Sequence, residues 1–164
     1  MNKSFILAVF SSVKIQSLGL DLLLAIPRIT AGLVLSFGIG LNKFGMPWSP
    51  KEKDLSLFQV SDGFVDYIAE SDLIFSAAPL LFAWLAGFAE AVSGILMAIG
   101  FKTRLNAFLI FFTMLVALSV HWADPLHDKL GSLAFLWISI YVMILGSGRF
   151  GLDYLIHNWL NKKA

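Results

Sequence analysis

The sequence predicts an all-α integral membrane protein, a bundle of four transmembrane helices whose N- and C-terminal segments lie in the membrane interface. Three observations carry this. Of 164 residues, 58% are hydrophobic and only 14% charged, whereas soluble domains are roughly half apolar and a quarter charged. The mean hydropathy is +0.80, and a chain this small cannot hide so much apolar surface in a core of its own. Four stretches also reach the length of about 20 mainly apolar residues that a bilayer requires. Disorder, a nucleic-acid module and an ordinary cytosolic enzyme are excluded. The net charge of +1 is uninformative, and the chain has no cysteine. Disulfides, thiolate metal sites, iron–sulfur clusters and persulfides are therefore closed to it, and redox chemistry would need a bound group or a partner.

The elements follow in order. Residues 1–21 contain a short apolar run from Phe5 to Phe10, interrupted by Lys14 and lacking a small-x-small cleavage site. Ile6, Val9, Phe10 and Val13 share a helical face, so this segment reads as a retained interfacial helix rather than a signal peptide. The expected spans are 22–42, 77–100, 103–121 and 131–148, in a single domain covering 1–164. Only Phe101 and Lys102 separate the second span from the third, so these two form an antiparallel hairpin. The loop 43–76 carries Pro47, Trp48, Pro50 and the charged stretch Lys51 to Asp54. Its later part, Leu57 to Ile68, has Phe58, Ser61, Val65 and Ile68 at helical spacing and predicts a short helix on the bilayer surface. Phe150 to Leu160 predicts another, with Tyr154 and Trp159 suited to headgroup depth.

Lys and Arg divide unequally. One side of the membrane receives Lys3, Lys14, Arg28, Lys102, Arg104, Arg149, Lys162 and Lys163, and the other receives Lys43, Lys51, Lys53 and Lys129. The positive-inside rule then puts both termini in the cytoplasm, with the 43–76 loop and the turn near His121 outside.

Glu90 is the most informative residue. A charge in mid-span costs about 2.5–3.5 kcal/mol by insertion scales. Its helical face carries Ala83, Gly87, Gly94 and Ala98, small residues that let a second backbone approach. Glu90 is therefore expected to face the bundle, either as a proton or hydrogen-bond site or as a fastener between helices. Arg28 is its expected partner, with snorkelling to headgroups as the alternative. Arg28, Gly32, Ser36, Gly40 and Lys43 share one face of the first span, and Pro27 either opens that helix or kinks it. The third span aligns Ala107, Ile110, Met114, Ala117 and His121. Met114 reads first as packing. The run His121-x-x-Asp124-x-x-His127 is too weak a spacing to count as a metal site, and no second histidine suits haem. Trp137 and Tyr141 lie one turn apart in the fourth span. Gly146 and Gly148 end that span, and Arg149 complements its C-terminal dipole. Lys102 and Arg104 read as headgroup contacts, with a pair between Arg104 or Arg149 and Asp153 left open.

Taken together these pieces resemble the DoxX family of small four-helix membrane proteins, over residues 22 to 156. The resemblance rests on Arg28-x-x-x-Gly32, Lys43, Glu90-x-x-x-Gly94, Gly100, Thr103-Arg104, Ala107, Met114, Ala117, His121 and Gly146-x-Gly148-Arg149-x-x-Leu152-Asp153. Ser147 and Gly151 depart from it, where the family often has proline and serine. The resemblance implies a bundle in the cytoplasmic membrane, similar to subunits of a thiosulfate:quinone oxidoreductase. It places the site on Arg28, Glu90, Arg104 and His121.

The leading functional expectation is a membrane subunit of a quinone-linked oxidoreductase complex. Glu90 and His121 are its candidate proton-transfer groups, and Arg28, Lys43, Arg104, Met114 and Tyr141 its candidate ligand contacts. No cofactor is expected to be built in, quinone is the expected bound ligand, and no metal or nucleic acid is expected. The expected partners are the lipid bilayer, a redox partner or second subunit, and a second copy of the chain. A non-enzymatic accessory protein that docks a partner, and a small-solute or proton pathway, are the alternatives.

Overall fold

The computed structural model describes residues 17–71 and 74–162. The terminal segment with Ile6, Val9, Phe10 and Val13 lies outside these residues, as do Lys3, Lys14 and Lys163. No strand occurs among the described residues beyond one isolated bridge between Phe44 and Val60. Four helices are long and apolar enough to cross a membrane: Leu18–Asn42, Pro79–Ile99, Thr103–Val120 and Leu126–Leu145. They are called here the first to fourth spans. A surface helix, Asp62–Ala69, precedes the second span, and a C-terminal helix, Leu152–Lys162, follows the fourth.

The first span opens at Ser17, whose hydroxyl accepts from the Leu20 amide at 3.4 Å. Pro27 lies inside its α-helical part, Leu18–Leu33, rather than at the start, and deprives the Leu23 carbonyl of its usual amide partner. The fourth span begins at Leu126, five residues before the expected 131, because Pro125 supplies the extended residue ahead of it. It ends at Leu145, where Gly146 turns the chain at φ 77°. The loop helix starts at Asp62 rather than Leu57: Phe58 takes a left-handed φ of 63°, a conformation that breaks a helix.

The first and second spans meet through small residues. A Cβ on Gly40 would lie 2.7 Å from the Ala91 amide nitrogen, and one on Gly94 would lie 2.7 Å from Ser36 Oγ. Such backbone approach is what a stripe of Gly, Ala and Ser permits where lipid supplies no hydrophobic drive between helices. Both spans change to π-helix at this seam, over Val34–Ile39 and Ala89–Ser93. The third and fourth spans pack along one another. Ala31, Leu35, Met97, Ala107, Ile110, Met114, Leu136 and Val142 form the main buried cluster. A second cluster, under the loop, gathers Phe44, Val60, Ile68, Ala83 and Ala91.

The seam yields a stability prediction. Gly40→Val should lower the stability of the folded bundle by about 1–3 kcal/mol through overpacking, read as a reduced thermal unfolding midpoint in detergent. The same change at Gly131, where a Cβ would meet nothing within 4 Å, should have a much smaller effect.

Candidate functional site

The sequence-predicted residues fall into three groups. The first lies on the seam. Glu90 is 4% exposed, within the π-helical segment of the second span. Its partner is Lys43 rather than Arg28: Lys43 Nζ lies 3.0 Å from Oε1 and 2.9 Å from Oε2. The register explains the correction. In this antiparallel pair Gly32 faces Gly94 and Ala98, and Ser36 and Gly40 face Ala91. Arg28 is thereby carried beyond Glu90, to the end of the second span. Lys43, just past the first span, reaches back to the carboxylate. Ser36 Oγ donates to the Ala91 carbonyl at 2.6 Å, and Ser93 Oγ is fully buried without a hydrogen-bond partner. π-helical turns are frequent at functional sites, and two of them meet here.

The loop helix covers Lys43. The Phe64 ring lies 4.7 Å from Nζ, a cation–π contact. Phe64 stacks on Tyr67 with centroids 6.4 Å apart. Tyr67 Oη lies 3.1 Å from His121 Nε2, and His121 Nδ1 lies 2.5 Å from Asp124 Oδ2. With the carboxylate on Nδ1–H, Nε2 is left to accept from the phenol. This Tyr67–His121–Asp124 chain is the second group and joins the loop helix to the end of the third span. Burial, together with the nearby Asp124 carboxylate, raises the Tyr67 phenol above its ordinary pKa. His127, which the sequence placed in the same run, lies beside Asp128 at 3.2 Å. Among the described residues no group of three His, Asp or Glu could hold a metal ion.

Arg28 anchors the third group at the opposite end of the bundle, called here the terminal side. Its Nη1 donates to the carbonyls of Met97 at 2.5 Å and Ala98 at 2.6 Å, and Nη2 to that of Phe150 at 2.9 Å. The Met97 carbonyl also accepts from the Gly100 amide at 3.1 Å, and Arg28, at 1% exposure, thus caps the end of the second span and ties it to the turn after the fourth. Asp153 does the same for the third span, accepting from the Lys102 and Thr103 amides at 2.7 and 2.9 Å and from Thr103 Oγ1 at 2.6 Å. Arg149 pairs with the buried Asp21 at 3.1 Å. Arg104 donates to the Ile144 carbonyl at 3.2 Å, and the Tyr141 hydroxyl donates to that of Leu24. Met114, 3% exposed, packs in the main cluster.

Sequence reasoning missed Asp21, Ser36 as a hydrogen-bond donor, and Tyr67. Asp21 was legible as a carboxylate one turn inside an apolar segment. Tyr67 gave no signal, because its role depends on a partner 54 residues away.

Two predictions follow from this geometry. Lys43→Met and Glu90→Gln should each destabilise the protein, by no more than about 3 kcal/mol given the partly exposed lysine, while the double variant loses less than the two singles together. A double-mutant cycle by thermal unfolding measures this. Tyr67 has a folded pKa above its unfolded value, so the contact it makes is fully present below the unfolded pKa of about 10 and is lost as pH rises through the higher folded value. Absorbance titration at phenolate wavelengths, wild type minus Tyr67→Phe, should show ionisation only in that alkaline range.

The family model described as "TQO small subunit DoxD" matches residues 63–164, which is 102 of the 164 residues. Glu90, Arg104, Met114, His121 and Tyr141 fall within the match, and Arg28 and Lys43 precede it. Neither the curated proteins nor the solved structures include a match to the chain. With four membrane-spanning helices arranged as the DoxX-like resemblance implies, and a family match over most of its length, the chain belongs to the DoxD family of small membrane subunits.

Proposed function

We propose that this chain is the membrane subunit of a quinone-linked redox complex and that Lys43 and Glu90 hold and protonate an oxygen of the quinone ring. The carrying observation is a mid-span carboxylate, 4% exposed, held against a lysine where two π-helical segments meet. Intramembrane ionisable residues are expensive and by default mark a site. Lys43, whose side chain is 29% exposed, offers the approach, and the Phe64 ring beside it is an apolar cover for a flat ligand. Converting a quinone to a quinol takes two electrons and two protons. A partner subunit supplies the electrons, in keeping with a family described as a small subunit and with a chain that has no cysteine. The Lys43–Glu90 pair supplies one proton to the ring oxygen beside it and recovers it from water, and His121, held by Asp124, passes the second proton from water to the far ring oxygen. In this reading the protein sits in the cytoplasmic membrane with both termini inside, following its Lys and Arg distribution.

A second reading is favoured by one observation. Phe44 is fully buried and contacts Phe58, Trp84 and Phe88, while Trp84 Nε1 donates to the Phe58 carbonyl at 3.0 Å. The loop is therefore built onto the second span, and Lys43–Glu90 could serve as one more fastener in a protein whose task is to dock a partner.

Mass spectrometry of lipids extracted from protein purified in mild detergent separates the two. Wild type should retain isoprenoid quinone near one per chain, and Glu90→Gln should lose most of it while remaining folded. Quinone at no more than the level of an unrelated membrane protein would overturn the proposal and leave the docking role.

A further inference from the structure

A second polar site lies at the terminal side, away from the Lys43–Glu90 pair, and nothing in the quinone reading uses it. A small cleft of about 10 Å³ between the first and fourth spans is lined by Asp21, Leu24, Ala25, Arg28, Tyr141 and the Leu145–Gly148 turn. Asp21 is 2% exposed and Arg28 1%. Neither oxygen of Asp21 receives a hydrogen bond, although Arg149 Nε lies 3.1 Å from Oδ2. Arg28 Nε is likewise buried without an acceptor, while Nη1 and Nη2 are both committed to carbonyls. Tyr141 uses its proton on Leu24, which leaves the phenol oxygen free to accept. The residues that carry these acceptors and this donor line one small space, and buried polar groups of this kind are almost always satisfied.

We propose that this cleft is the binding site of a single ordered water molecule. The water accepts from Arg28 Nε and donates to the Asp21 carboxylate and to Tyr141 Oη, three bonds of the kind that buried waters typically make. The volume matches the roughly 10–15 Å³ that one water needs. The donor set points the same way: a metal cation would lie beside two guanidinium groups, and an anion beside a carboxylate. A neutral molecule with two protons and two lone pairs can serve Arg28 Nε, Asp21 Oδ1 and Tyr141 Oη together, with Asp21 Oδ2 left to Arg149. Ala25, 3% exposed on the cleft wall, keeps the space open, since a larger side chain there would fill it. The bound water joins the first span to the turn after the fourth and completes the polar layer in which Arg28 and Asp153 cap the neighbouring helices.

Radiolytic hydroxyl footprinting in lipid nanodiscs, with products located by mass spectrometry, tests this. A bound water makes hydroxyl radical in place, so Tyr141, Leu24 and Leu145 should be labelled while the lipid-facing Leu81 stays unlabelled. In Ala25→Val, checked for unchanged helical content by circular dichroism, labelling at those three positions should fall several-fold. Labelling absent from all three in the wild type, or unchanged in a folded Ala25→Val, would overturn the proposal. If that variant does not fold, Ala25→Ser, whose hydroxyl occupies the same space, replaces it with the same two outcomes.

Discussion

The close approach of the first and second spans is the constraint on which the rest of the molecule depends. Lipid does not drive two apolar helices together, so the contact has to come from backbone packing and from polar groups that meet across it. Gly32, Gly40 and Gly94 bring the two backbones to van der Waals distance. Once they are that close, the register is fixed, and three polar residues on one face of the first span each meet a different part of the second. Arg28 reaches its terminal carbonyls, Ser36 a carbonyl within its π-helical segment, and Lys43 the Glu90 carboxylate. The seam and the site are therefore one feature. A shift of one turn along it would leave Glu90 without a cation and the end of the second span without a cap.

The two ends of the bundle are built on different principles. At the terminal side charged side chains from elsewhere in the chain close two helix ends, Arg28 that of the second span and Asp153 that of the third, and Asp21 pairs with Arg149 beside the turn after the fourth. Bonds of this kind, between a charge and backbone carbonyls or amides, are directional and strong. They make that side a fixed frame. The loop side is held by rings: Phe44, Phe58, Trp84 and Phe88 under the loop, then Phe64, Tyr67 and His121 across its helix. Ring contacts tolerate sliding better than charged hydrogen bonds do, so motion around Lys43 is more readily accommodated here than at the framed end.

Much of the fold was legible in the sequence because hydropathy and small-residue spacing are one-dimensional signals. Four spans, the tight Phe101–Lys102 turn, a surface helix in the loop and another at the C-terminus all appear, with ends displaced by a few residues where Pro125 or the left-handed Phe58 resets a helix start. The site was half legible. Spacing marked Glu90 as inward-facing and Lys43 as part of the polar face, yet chose Arg28 as the partner, because depth was counted along two straight helices of uniform α pitch. Both spans contain a π-helical stretch at the seam, and such a stretch changes which residues face one another downstream. Periodicity at 3.6 residues cannot register that. Tyr67 was invisible for a related reason: a lone tyrosine on a surface helix carries no mark of the histidine it will meet.

The exchange of partners changes what the buried carboxylate can do. Arginine stays protonated under all ordinary conditions and presents its donors in a fixed fork. It suits the place it occupies, donating three bonds to carbonyls that never change charge. Had it been set against Glu90, the pair would have been locked as an ion pair, with no proton to give. Lysine is a compact point charge that can part with its proton when its surroundings favour the neutral form, so a Lys–Glu pair has two arrangements of the same proton: charged on both partners, or neutral on both. A polar ligand oxygen brought beside Lys43 would bias that choice and could take the proton. The packing that sends Arg28 to the helix end thus leaves the one titratable cation of this polar face opposite the one carboxylate of the second span, and the proton-handling role proposed for Glu90 rests on that division of labour.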